Sequence, residues 1–274
     1  MPRSAPKPAS HRRQENSQPP SGRLVIVSGP SCVGKTPLYK ALGKFHPELR
    51  AKMHRLVLFN SRSPRPGETE GVDYHFRTRS QIEALQHDDR YAIIEVRTDL
   101  QALDVQELQS LLQRGDVFYE GAPYVGRALQ QHPLLAAVSK LSVFISPLSQ
   151  EEIVSLQAPG GSQSLPDFLT DVMRRKLLRR TTRQKGILSS ADLKDIETRA
   201  ASAYREMQQA FHFDYVIPNH DGEDSDNWEA FYFLIGDARK TLEAFVALLQ
   251  GKSAANVEKW DQRLLPANAQ ANEH

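Results

Sequence analysis

The chain has 274 residues, 39% hydrophobic and 25% charged, with a formal net charge of +2. This is ordinary for a globular chain in water and supplies enough apolar material for one large α/β domain or two small ones; it excludes general polyanion affinity, so nucleic acid is not an expected partner. No apolar run approaches the roughly 18 residues of a membrane helix, and the single cysteine, Cys32, excludes an internal disulfide and suits the reducing cytoplasm.

Residues 1–21 are rich in Pro, Ser and Arg and nearly free of apolar side chains. They predict a disordered basic tail, because such a segment cannot offset the entropy of ordering. Its Arg3, Lys7, Arg12 and Arg13 suit contact with nucleic acid or an acidic protein partner, although a solvated tail is the simpler reading. The N-terminus has no apolar stretch of the kind a secretory signal needs.

Order is predicted from Arg23. Leu24–Val27 is a continuous apolar run, as expected of a strand buried on both faces of a parallel sheet. A helix follows from about Lys35, with Leu38, Leu42 and Phe45 at helical spacing. Further strands are predicted at 54–59, 91–96, 116–120, 141–145 and 213–217. Helices are predicted at 79–87, 102–113, 124–131, 167–180, 192–210 and 226–250. The alternation argues for an α/β fold, a parallel sheet with helices on both faces. Residues 156–166 read as a flexible loop and 251–274 as a weakly ordered tail.

Gly29-Pro-Ser-Cys-Val-Gly34-Lys35-Thr36 joins the first strand to the first helix. In that context the Gly-x4-Gly-Lys-Thr pattern predicts a loop that binds ATP phosphates. The backbone N–H groups of Gly29, Ser31, Cys32, Val33 and Gly34 would close on phosphate oxygens at a helix N-terminus. Lys35 would reach the β- and γ-phosphates, and the Thr36 hydroxyl would ligate Mg²⁺.

A second cluster runs Asn60-Ser61-Arg62-Ser63-Pro64-Arg65-Pro66-Gly67-Glu68, then Gly71-Val72-Asp73-Tyr74-His75-Phe76. Two arginines three apart, stiffened by prolines, suit bidentate binding of a phosphate, although by themselves they read more simply as solvated loop charges. With these residues the sequence resembles the guanylate kinase family. That family pairs Ser-Gly-Pro-Ser-x-x-Gly-Lys with Thr-Arg-x-Pro-Arg-Pro-Gly-Glu-x-x-Gly-x-Asp-Tyr-x-Phe. Phe213-Asp214-Tyr215-Val216-Ile217-Pro-Asn219 resembles its late strand.

The resemblance covers about 22–250. It implies a P-loop nucleoside monophosphate kinase-like core, with a monophosphate-binding subdomain at about 54–104 and a lid at about 156–192. It implies ATP-dependent phosphoryl transfer with Mg²⁺ to a nucleoside monophosphate, GMP first. Arg62, Arg65, Tyr74 and Glu120 would contact the acceptor. Lys35, Arg180 and Arg199 would neutralise charge on the transferring group. Other phosphorylated acceptors, or a binding module without turnover, stay open.

Several positions depart from the family pattern. Leu58 stands where a base-contacting serine is expected. Thr98-Asp-Leu-Gln-Ala102 replaces Gly-Asn-Tyr-Tyr-Gly, and Ala122 replaces the second carboxylate of Asp/Glu-x-Asp. These losses predict relaxed base choice. Cys32 reads as a small packed thiol. Asp221, Glu223, Asp224 and Asp226 read as a solvated acidic turn leading into a helix at Trp228.

Overall fold

The computed structural model describes residues 22–65, 67–158 and 163–266. The predicted N-terminal tail, 1–21, lies outside the described residues. In chain order the elements are β1 (Leu24–Ser28), α1 (Lys35–Phe45), α2 (Pro47–Arg50), β2 (Met53–Arg55), β3 (Phe59–Asn60), β4 (His75–Phe76), α3 (Arg79–Ala84), β5 (Tyr91–Val96), β6 (Asp99–Asp104), α4 (Val105–Arg114), β7 (Asp116–Gly121), α5 (Pro123–Gln131), β8 (Lys140–Ser146), α6 (Gln150–Leu156), α7 (Leu165–Lys185), α8 (Ser190–Ala201), α9 (Ala203–Met207), β9 (Tyr215–Pro218) and α10 (Gly236–Leu249).

Every side chain of β1 is buried, which is why its run is apolar at every position rather than at alternate ones. It lies at the centre of a parallel sheet ordered β2-β7-β1-β8-β9. α1 and α10 pack together at this sheet, and α5 packs on β1, β7 and β8. The carboxyl ends of these parallel strands face the loops that form the site, the usual place for a ligand in an open α/β sheet.

A second, smaller sheet is ordered β4-β3-β6-β5. It explains why the single strand expected at 54–59 is two. Met53–Arg55 pairs with β7 in the main sheet, while Phe59–Asn60 pairs with β4 and β6 in the smaller one. The chain crosses between sheets at Leu56–Leu58. β6, absent from the sequence reading, also shortens the helix expected from 102. Asp104 ends that strand, and its carboxylate accepts from Glu107 N at 3.0 Å, capping α4.

Two further expectations are corrected. The helix predicted at 226–250 begins only at Gly236, because 221–235 folds as a loop held by side-chain bonds to Asp221. The segment expected to be a loose tail is packed through residue 266. Glu258 and Val216 exchange backbone hydrogen bonds of 2.8 Å, and Trp260 and Leu265 are buried. This stretch covers the open edge of β9, which would otherwise present unpaired N–H and C=O groups.

Candidate functional site

Residues 29–36 turn tightly between β1 and α1. Gly34 has φ +94°, and a Cβ there would lie 2.6 Å from Asn219 Nδ2 and 2.7 Å from Asp221 O. Only glycine meets both the backbone conformation and the close approach of the 219–228 loop. The Lys35 ammonium turns back on its own loop, donating to Gly29 O at 2.9 Å and Pro30 O at 2.6 Å. Burial lowers its pKa, against the opposing charges of Glu223, Glu206 and Glu120.

One cavity of about 680 Å³ brings Lys35 and Thr36 together with Arg62, Arg65, Tyr74, Glu120, Arg180 and Arg199. Gly29, Ser31 and Cys32 line the same space. Val33 is buried and contributes backbone, its carbonyl accepting from Asn219 Nδ2 at 2.8 Å. Residues more than 160 positions apart, such as Ser31 and Arg199, meet directly here: Arg199 Nε donates to Ser31 Oγ at 3.0 Å. The Arg199 guanidinium is pushed down to about 9, first by burial and then by Arg180 and Arg65. Arg180 Nε is buried with no partner among the described residues. This end of the cavity is a basin of mutually repelling cations, which a polyphosphate would relieve.

Arg62 and Arg65 are held by carboxylates. Glu68 accepts two 2.6 Å bonds from Arg62, which also lies 5.1 Å from the centre of the Tyr74 ring. Arg65 Nη2 donates to Asp195 at 3.2 Å, and Arg199 Nη1 reaches the other oxygen of that carboxylate at the same distance. Asp195 therefore ties α8 to the arginine loop. Burial pushes the Tyr74 hydroxyl up, so it stays a neutral donor.

Glu120 ends β7 beside the phosphate loop. One of its oxygens accepts from Arg55 Nη2 at 3.0 Å and from Thr36 Oγ1 at 3.3 Å; the other is buried without a partner among the described residues. Burial raises its pKa against the pull of Arg55 and Lys35. Its bond to Thr36 puts it on the phosphate-loop side of the cavity. A hydroxyl and an orphaned carboxylate oxygen form a hard donor set of the kind Mg²⁺ takes alongside phosphate oxygens.

The acidic turn is solvated only at Asp226, which is exposed. Asp224 is buried and ion-pairs with Lys176 at 3.4 Å and Arg179 at 3.0 Å. The Trp228 indole donates to Asp221 O at 2.8 Å and is itself buried. Glu223 reaches into the phosphate loop, where its carboxylate accepts from Gly34 N at 3.0 Å. Burial pushes Glu223 up, but the charges of Lys35 and Arg180 and the Gly34 N–H outweigh it and hold the carboxyl below its ordinary range. An ionised carboxylate thus occupies an amide that a phosphate oxygen would use. Glu223→Gln keeps the shape and removes the competing charge. It is expected to tighten Mg·ATP binding about tenfold, the scale of one charge-assisted hydrogen bond. Titration calorimetry showing equal or weaker binding would contradict this.

Cys32 is 1% exposed at φ +66°, with its thiol pKa pushed up to about 12, first by burial and then by Glu223. The packed reading holds, and the helix N-terminus does not make the thiol reactive. A disulfide reagent is expected to label the native chain slowly with or without nucleotide, and fully after denaturation. Rapid labelling of native protein would show an open site.

Arg55, Arg97, Gln101 and Glu223, to none of which the sequence reading gave a place in the site, also line this space. Gln101 is 5% exposed, and its carbonyl oxygen has no partner among the described residues. It faces the same cavity as Leu58, whose side chain is buried in the wall. Nothing local marks these positions, since each is one residue at or near an ordinary strand or turn.

The family model described as guanylate kinase matches residues 21–110. A guanylate kinase from Synechococcus sp. (strain JA-3-3Ab) is 33% identical over 221 residues, covering 77% of this chain and 83% of that protein. The chain belongs to the guanylate kinase family. The guanylate kinase of Rickettsia bellii (strain RML369-C) is 26% identical over 211 residues, or 74% of this chain and 89% of that one. The solved guanylate kinase of Anaplasma phagocytophilum shares the fold at 17% identity, with a TM-score of 0.50 over 84% of this chain and 85% of that chain. Within a guanylate kinase framework the arginine-lined cavity has two ends, the phosphate loop and the smaller sheet.

Proposed function

We propose that the chain transfers the γ-phosphoryl group of ATP to GMP, giving ADP and GDP. The observation that carries this reading is the single cavity joining the phosphate loop to Arg62, Arg65 and Tyr74, with Arg180 and Arg199 between. In it, Lys35 and the amides of 29–36 hold the triphosphate, and Arg62, Arg65 and the Tyr74 hydroxyl hold the acceptor phosphate. Arg180 and Arg199 balance the charge that builds on the transferring group. Phosphoryl transfer needs positioning and charge neutralisation rather than covalent help, and these residues supply both. Thr36, with Glu120 beside it, is placed to hold Mg²⁺, which would neutralise the β- and γ-phosphate oxygens when bound. No helix among the described residues is long and apolar enough to cross a membrane.

The base end supports a less exacting choice of acceptor. Leu58 and Ala122 offer a base no hydrogen bond from their side chains, while Gln101, Asp99 and Asn60 are among the polar groups that line the same cavity. The test is kcat/KM for GMP, AMP, CMP and UMP. GMP is expected to lead, by well under the roughly 10⁴-fold that a fully hydrogen-bonded pocket achieves. A preference at or above that scale would refute the relaxed pocket. No turnover with any of the four would remove the proposed acceptor class.

A further inference from the structure

Arg97 stands in the turn between β5 and β6, on the smaller sheet, yet its side chain ends at the phosphate loop. Its Nη2 donates to Ser31 Oγ at 3.2 Å, across 66 residues of sequence. The same Ser31 oxygen accepts from Arg199 Nε at 3.0 Å. Two guanidinium groups, one from each side of the cavity, therefore converge on one oxygen at the apex of the loop. That is the arrangement by which arginines grip a phosphoryl oxygen.

The geometry around Arg97 is built rather than incidental. Its backbone has φ +59°, a conformation unfavourable for any side chain but tolerated where surroundings over-determine it. Its Nη2 lies 2.5 Å from Glu206 Oε1, and Glu206 is 0% exposed. Nε donates to Ser202 Oγ at 3.0 Å, and that hydroxyl donates to Glu206 at 2.8 Å. α9 and the residue before it thus clamp the base of the fork. One amino group of the guanidinium remains outside these contacts, and Arg97 lines the cavity. A strut needs neither the strained turn nor the contact with Ser31, since Glu206 and Ser202 alone would anchor it.

We infer that Arg97 is a further catalytic arginine, carried by the acceptor-side sheet and applied together with Arg199 to the transferring phosphoryl group. The inference rests on the phosphotransfer reading above. In the step it serves, an acceptor phosphate oxygen forms a bond to the γ-phosphorus as the bond from that phosphorus to the β,γ-bridging oxygen breaks. The electron pair leaves on ADP, and Arg97 moves no proton; it balances negative charge on the equatorial oxygens. Arg97 comes from the turn of the smaller sheet and Arg199 from α8, so each side of the cavity supplies one guanidinium to the same point of the phosphate loop.

The test uses Arg97→Gly, which suits φ +59° and leaves a space for a small cation, and Arg97→Lys, which keeps a charge for Glu206 without the fork. Arg97→Gly/Glu206→Gln removes the buried charge that would otherwise be stranded. Each is assayed with ATP and GMP, with and without added guanidinium, beside ATP affinity and thermal melting. The expected result is a fall of about 100-fold in kcat for both Arg97→Gly forms, the scale of losing one preorganised donor. KM for either substrate and ATP affinity should move less than about threefold, as for an interaction made only in the transition state. Guanidinium should restore part of kcat in Arg97→Gly and none in Arg97→Lys. A purely structural Arg97 would instead lower the melting temperature with kcat per folded molecule retained and no rescue, which overturns the inference. A wild-type chain without turnover would remove the phosphotransfer reading and the inference with it; an active wild type with full kcat in Arg97→Gly removes the inference alone.

Discussion

Lys35→Ala is expected to abolish measurable phosphoryl transfer while the chain stays folded. The ammonium is buried inside the phosphate loop, bonded to Gly29 O and Pro30 O and surrounded by the charges of Glu223, Glu206 and Glu120. In the proposed reaction it follows the β- and γ-phosphates as charge shifts between them. Alanine cannot supply that charge, and the loss should reach at least about 100-fold in kcat, as for removal of one preorganised electrostatic group. The fold should survive because β1 and α1 are held by Leu24, Ile26, Leu38 and Leu42, all fully buried and none of them in contact with the question of charge. Stability has a second reason to hold. Burial already disfavours the charged lysine, so removing it relieves a desolvation cost even as two carbonyls lose a donor. Circular dichroism and melting would verify the fold, and coupled assay the turnover. A folded Lys35→Ala chain with unchanged ATP affinity and rate would end the assignment of the triphosphate site.

Arg62→Ala and Arg65→Ala are expected to strike the acceptor and spare ATP. Each arginine is pre-positioned by an acid: Arg62 by Glu68, and Arg65 by Asp195 across the cavity on α8. Pre-positioning lowers the entropy that acceptor binding must overcome, but it also makes the incoming phosphate share the fork with a carboxylate. A lost charge-assisted contact amounts to about 1.5–3 kcal/mol, or roughly ten- to hundredfold in kcat/KM for GMP. Arg65→Ala should fall at the upper end, because it also frees Asp195 to draw Arg199 away from Ser31. ATP affinity should change little in either variant. Undiminished acceptor kinetics in both would remove these residues from the acceptor site.

Much of the molecule was legible because its signals are local. A strand buried on both faces must be apolar at every position, and Leu24–Val27 is. The phosphate loop is eight consecutive residues whose glycines answer backbone demands set within the same turn. Thr36 and Lys35 follow at fixed offsets, so the triphosphate end could be read from one stretch of sequence. Arg62 and Arg65 stand out as near neighbours in a proline-stiffened segment, but their acceptor role, like that of Tyr74 and Glu120, came through the family resemblance. Arg180 and Arg199 were reached only through family resemblance, since nothing in a charged helix shows which arginine turns inward.

What the sequence by itself determined, then, is the α/β alternation, the phosphate loop and the arginine pair. Tertiary structure alone decided which strands share a sheet. It split the run at 54–59 between two sheets, because pairing depends on which edge each piece meets and both pieces are equally extended. It seated 251–266 on the edge of β9, where a few scattered apolar residues suffice once a partner edge is present. It also brought Glu223 to Gly34 across 189 residues and Arg97 to Ser31 across 66. An ion pair or hydrogen bond over such a span leaves no periodicity behind. Its energy exists only after the topology has placed both partners in one low-dielectric pocket, where a single charge changes what the loop can bind.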